Sequence, residues 1–261
     1  MTAWREETIQ VDGVKLSAWR GGDGPPLLHG ADGWDGLLPF HDSLARRFTV
    51  WAPFLPGFGE SELPGWLDSV DDLAYFCLDL LEQPALAGAN VLGIGFGGWV
   101  AAELAVRSRE RLRRLVLAAA LGIKVSGRET PDIADFLVLT HEEAARVLWH
   151  GPEAARGMKW PGAPGLTDEE MTEALRAAQT VTLMGWKPFM HNPGLLRWLH
   201  RIRVPTLLLW GESDRVVSPD YGRAWHQAIP GSRFQLIAGA GHYPHRERPD
   251  DFAQAVTAFL L

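Results

Sequence analysis

Six short apolar runs punctuate this chain, spaced so that most neighbours leave room for a helix between them: "PPLLHG", "FTVWAPFLPG", "ANVLGI", "RRLVLAAA", "VPTLLLWG" and "RFQLIAG". Each is continuously apolar, which marks strands buried on both faces of a parallel sheet. Between them lie stretches with helical spacing, among them "SVDDLAYFCLDLLEQ" with Ser69 as N-cap, "GGWVAAELAVRS" and "YGRAWHQAI". A last helical stretch, "PDDFAQAVTAFLL", opens on Pro249. Strand–helix alternation of this kind predicts an α/β fold: a mostly parallel twisted sheet flanked by helices. Ahead of it, "ETIQVDGVKLSAWR" alternates about Asp12-Gly13 and predicts a β-hairpin.

The alternation breaks once. From about Gly122 to Asn192 the pattern is helical without a clear strand, in "PDIADFLVLT", "HEEAARVLWH" and "TDEEMTEALRAAQTVTLMGW", with the loop "KWPGAPG" between them. A helical insertion between two strands of a parallel sheet reads as a cap over the strand ends. The expected division is a core of residues 1–121 and 193–261 with a cap of residues 122–192 inserted in it. A chain of 261 residues suits one such domain.

The net charge is −7 and the basic residues are scattered, which argues against nucleic acid or an anionic membrane as partner. The one cysteine, Cys77, sits in the apolar rhythm of "LAYFCLDLL" and reads as a buried, inert thiol. "MTAWREETIQ" lacks an apolar signal region, and no run reaches the ~18 apolar residues of a membrane span, so a soluble cytoplasmic protein is expected. The expected partner is a small molecule, with no cofactor and no metal; homo-oligomerisation is left open.

Glycine-rich or polar stretches follow four of the strands. They are "LHGADGW" (28–34), "GIGFGG" (93–98), "WGESDRVVSP" (210–219) and "GAGHYPH" (239–245). With the insertion and the turn "FLPGFGES" (54–61), this order resembles the α/β-hydrolase family along nearly the whole chain. The resemblance implies a nucleophile in G-x-S-x-G, then an acid, then a histidine. Asp214 stands at the acid position and His242 at the histidine. Gly93 and Gly97 are the flanking glycines, and the amides of Ala31 and Phe96 are the implied oxyanion donors. The position between the glycines is Gly95, so the nucleophile's hydroxyl is missing from an otherwise intact pattern. "GPPLLHG" is also about two residues shorter than the family's run, a deletion that keeps side-chain facing because the strand period is two.

The resemblance places a pocket above Gly95, lined from His29, Gly30, Asp32, Trp34, Phe136, Trp149, Trp186 and Tyr243. Its aromatic content suits a small, largely apolar or aromatic substrate. Several other readings carry less weight. Gly93 to Gly98 also spell G-x-G-x-x-G, but on an inner strand with no acid at the end of the next one. His245 and Glu247 lie near His242 in sequence, yet no H-E-x-x-H pairing supports a metal, and a solvated loop is the better reading. Asp32 and Asp35 read as turn formers.

Loss of a serine nucleophile removes on the order of 10⁶ in turnover, leaving about 10³–10⁴ over water from binding and the oxyanion hole. Three readings stay open. In the first, the Asp214–His242 pair is a general base acting on water or on the substrate itself. The second is a serine hydrolase whose nucleophile has been replaced, and the third a ligand-binding pseudoenzyme. Retention of Asp214 and His242 favours the first two, with a lean to the first.

Overall fold

A computed structural model describes residues 3–30, 36–108, 110–127, 129–151 and 159–261. Eight strands form one sheet: β1 (Arg5–Val11), β2 (Val14–Gly21), β3 (Pro26–His29), β4 (Thr49–Pro53), β5 (Asn90–Ile94), β6 (Leu115–Ala118), β7 (Thr206–Gly211) and β8 (Arg233–Ile237). Their order across the sheet is β1-β2-β4-β3-β5-β6-β7-β8. The hairpin β1–β2 and the β2–β4 pair are antiparallel, and all other pairs are parallel. The hairpin turns at Asp12 and Gly13, with φ of 45° and 79°, the left-handed pair of a type I′ turn.

The parallel strands divide their side chains between two cores by the two-residue period. On β7, Leu208 and Trp210 face one core, which also holds Leu115 and Leu117 of β6; Leu207 and Leu209 face the other, with Val116 and Ala118. The first core is covered by α2 (Val70–Leu80), α3 (Gly95–Arg107) and α7 (Pro219–Ala228), the second by α1 (Pro39–Ala45) and α9 (Pro249–Leu260). Ser69 caps α2, its hydroxyl accepting the Asp72 amide at 3.1 Å. Cys77 lies on the buried face of α2, where burial pushes its thiol up to about 12.

β3 is four residues long and sits between β4 and β5. β8 departs from the sequence reading: it is an edge strand, paired only with β7, and three of its five residues are exposed. The stretch "PDIADFLVLT" is not a helix either. Asp132 turns that segment back by accepting the amides of Val125 at 2.9 Å and Ser126 at 3.0 Å, and by pairing with Lys124 at 2.7 Å.

The chain between β6 and β7 carries α4 (His141–Leu148), α5 (Asp168–Gly185) and the short α6 (Leu195–Trp198), and Thr–Glu capping boxes, Thr140–Glu143 and Thr167–Glu170, open the first two. This segment leaves and returns at one place. Gly122 and His191 form a parallel bridge, and the Asn192 amide donates to the Gly122 carbonyl at 2.9 Å. α5 is tied to the 54–61 turn, where Thr180 donates to the Gly57 carbonyl at 2.9 Å and Arg176 to that of Ser61 at 2.6 Å. No helix among the described residues is long and apolar enough to cross a membrane.

Candidate active site

Parallel strands deliver their C-terminal ends to one edge of the sheet, where α/β folds collect their chemistry. At that edge stand His29, closing β3; Gly95, directly after β5; Asp214, three residues past β7; and His242, five past β8.

The turn from β5 into α3 is sharp because α3 begins at Gly95 itself, two residues before the helix read from the sequence. Gly95 has φ +53°, in the left-handed region where glycine is least strained. Gly93 and Gly98 serve a different need, close packing of the helix against the sheet. A Cβ on Gly93 would come within 2.5 Å of the Gly97 carbonyl oxygen, and one on Gly98 within 2.7 Å of the Ala120 Cβ. Above Gly95 the situation is opposite. Among the described residues, a Cβ there would meet only His242 Nε2, at 3.8 Å. The Phe96 amide lies in the first turn of α3, whose N–H groups have no carbonyl one turn back to bond to.

Asp214 and His242 are both buried, each 3 % exposed. The Asp214 Oδ1 accepts the amides of Val216 at 2.9 Å and Val217 at 3.0 Å, while Oδ2 faces His242 Nδ1 at 3.0 Å. A carboxylate held this way accepts a hydrogen bond from Nδ1–H and so keeps the imidazole proton on Nδ1, which leaves the Nε2 lone pair toward Gly95. The arrangement can remove a proton from a hydroxyl or a water between His242 and Gly95, and can hold the imidazolium that results.

Of the expected site residues, the oxyanion donor Ala31 and the lining residues Asp32 and Trp34 lie outside the described residues, as does Asp35. His29, Gly30 and Tyr243 surround a cavity of about 30 Å³ together with Phe40, His41 and His245. Tyr243 also packs on the His242 ring at 5.2 Å and on Trp149 at 5.2 Å. Trp149 is fully buried under the guanidinium of Arg246, 5.3 Å from its ring. Phe136 is buried against Trp160 and Phe189. Trp186 caps the C-terminus of α5, stands 48 % exposed and touches Phe189.

His245 corrects the sequence reading. It is not in a solvated loop but 6 % exposed on the short helix α8 (Pro244–Glu247), against Phe40 and Phe252. It joins His29 and His41, whose rings meet at 3.0 Å between Nδ1 and Nε2. The Leu38 amide donates to His41 Nδ1 at 2.9 Å, so the His41 proton sits on Nε2 and is donated to His29 Nδ1. Burial pushes His29 down to about 4. It holds His41 and His245 well below the ordinary imidazole value too, with the neighbouring histidines adding to the effect.

Two acidic residues escape any local motif. Glu103, buried in α3, accepts from Trp99 Nε1 at 3.1 Å and Asn192 Nδ2 at 2.8 Å and pairs with Arg107. Glu247 accepts from the amides of Gly241 and His150. The second follows a "GH" turn by a few residues, a spacing that hints at a local cap, but its other partner is in α4's tail and invisible to the sequence.

Residues 27–255 match the sequence profile of the Alpha/beta hydrolase family. The pimeloyl-[acyl-carrier protein] methyl ester esterase of Nitrosomonas europaea is 29 % identical over 91 % of this chain and 96 % of its own length. The 2-hydroxy-6-oxo-6-(2'-aminophenyl)hexa-2,4-dienoic acid hydrolase of Metapseudomonas resinovorans is 24 % identical over 99 % and 92 %. The solved 2-hydroxy-6-oxo-6-phenylhexa-2,4-dienoate hydrolase of Rhodococcus sp. strain RHA1 superposes with a TM-score of 0.77 over 100 % of this chain and 99 % of its own, at 20 % identity.

Proposed function

Since this chain belongs to the alpha/beta hydrolase family, we propose that it is an enzyme of that family in which the Asp214–His242 pair is a general base and no side chain serves as nucleophile. The observation that carries the reading is the placement of His242: its Nδ1 is committed to Asp214 at 3.0 Å, and its Nε2 faces Gly95, where a Cβ would stand 3.8 Å away. A water, or an acidic site on the substrate, takes the place of a seryl hydroxyl there. His242 removes the proton, Asp214 stabilises the imidazolium, and the Phe96 amide, with that of Ala31, receives the developing oxyanion or enolate. His242 returns the proton to the leaving group. The segment between β6 and β7 acts as the cap that keeps bulk water from the intermediate.

The substrate is a small, largely apolar or aromatic molecule, and the relatives give the classes to test first: a methyl ester, and 2-hydroxy-6-oxo dienoates. The open space at Gly95 favours one second reading, a serine hydrolase carrying glycine at its nucleophile position.

The experiment compares this chain, His242→Ala and Gly95→Ser on short-chain aryl esters and on a 2-hydroxy-6-oxo dienoate. General-base chemistry predicts measurable turnover by the unaltered chain that His242→Ala abolishes; turnover surviving that change overturns it. If only Gly95→Ser turns over, faster by several orders of magnitude, the second reading holds instead.

A further inference from the structure

The loop that presents His242 is held by a carboxylate outside the catalytic pair. Residues 241–247 fold back through α8, so that Glu247 reaches the start of its own loop. Its Oε2 accepts the Gly241 amide at 2.6 Å and its Oε1 the His150 amide at 2.8 Å. Beside this bridge the His242 amide donates to the Leu148 carbonyl at 2.7 Å. The two chains run so close that a Cβ on Gly241 would lie 2.7 Å from the Leu148 oxygen and 2.8 Å from the His150 nitrogen. The neighbouring acid loop is fixed to the same tail: Ser213 Oγ meets His150 Nδ1 at 2.8 Å, and Arg215 donates to the carbonyls of Arg146 and Trp149 at 2.7 and 3.1 Å.

Two backbone N–H groups, those of Gly241 and His150, thus converge on one point, and two donors cannot bond each other. The Glu247 carboxylate satisfies both, one oxygen to each N–H, and a charged acceptor makes the stronger bonds. We infer that Glu247 is a positioning residue for His242: it locks the histidine loop to the tail of α4, so that the Nδ1–Asp214 bond and the Nε2 direction hold only while the insertion is seated. The chemical role of His242 rests on the function proposed above; the clamp itself does not.

Glu247→Gln tests it, because the amide keeps one acceptor and turns the other into a donor facing an N–H. The readouts are hydrogen exchange at the Gly241 and His242 amides and the downfield proton resonance of His242 Nδ1–H. Neither needs turnover, so both stand even if no tested ester or dienoate is a substrate. The expected result is exchange faster by about tenfold or more at both amides and a lost or shifted Nδ1–H resonance. Ser213→Ala, which cuts the side-chain bond to His150 but leaves both amides on Glu247, leaves exchange at Gly241 and His242 unchanged. In whichever form turns over, unaltered or Gly95→Ser, Glu247→Gln lowers kcat by about tenfold or more at constant KM, the signature of a misplaced base. An unchanged resonance with unchanged exchange in Glu247→Gln overturns the proposal. Should that variant not fold, Glu247→Ala, where water can enter the bridge, is read by the same criteria. Rapid exchange of the Gly241 and His242 amides in the unaltered chain also overturns it.

Discussion

Gly95 combines a backbone that only glycine adopts freely, φ +53°, with a side-chain direction that meets only His242 Nε2 among the described residues. Among the described residues, a Cβ added there is in ordinary contact with His242 Nε2 alone, yet it places an L-residue in the left-handed region, which costs about 1–2 kcal/mol. Gly95→Ser is expected to lose that much stability, read from urea unfolding of the two forms. Equal stability would show that the elbow relaxes around a side chain. The residues at this turn were legible in the sequence because each motif is local: "GIGFGG" needs only its own strand and helix. Glu247 and Glu103 were not, since what each carboxylate does depends on a partner about ninety positions away, His150 for one and Asn192 for the other.

Among the elements, α3 bears the elbow at one end and the buried Glu103 network further along. Through Asn192, Glu103 reaches the point where the insertion returns, and through Arg107 it reaches Asp71 on α2. Removing one partner of a buried charged pair costs about 3–5 kcal/mol. Glu103→Leu is expected at the low end of that range, because Arg107 keeps Asp71 at 2.6 Å. Chemical denaturation measures it, and a loss under about 1 kcal/mol would mean that α3 is held by its apolar face alone. The elements themselves were readable wherever burial is two-sided, as on β5, β6 and β7. β8 has a comparable apolar content, but its place at the sheet edge is set by chain topology, which "RFQLI" does not encode. The false helix at "PDIADFLVLT" failed for a polar reason: Asp132 offers backbone amides an alternative to helix bonding.

At the scale of the whole molecule, His29, His41 and His245 come from β3, α1 and α8 and meet where the sheet joins the α1 and α9 layer. All three stay neutral in the fold, whereas in the unfolded chain they protonate near pH 6.5. A depressed folded value means that the unfolded state binds more protons as the pH drops, so stability present above pH 6.5 is lost on the way down to about 4. At about 1.4 kcal/mol per pH unit, His29 alone removes on the order of 3 kcal/mol across that interval. The thermal midpoint should start to fall near pH 6.5, above the range in which carboxylates titrate, and a midpoint flat from pH 7 to 5 would show that the three imidazoles accept protons without unfolding. Within the segment between β6 and β7 the chain closes on itself at Gly122 and His191, and the strands of the sheet pair without it. A chain segment that leaves and re-enters at a single point can change length or sequence without shifting any strand register. Descendants of such a scaffold can vary most of this segment while the sheet keeps its register, provided they keep the Leu148–His150 stretch on which the Asp214 and His242 loops lean, so divergence is free in one part of the segment and constrained in another.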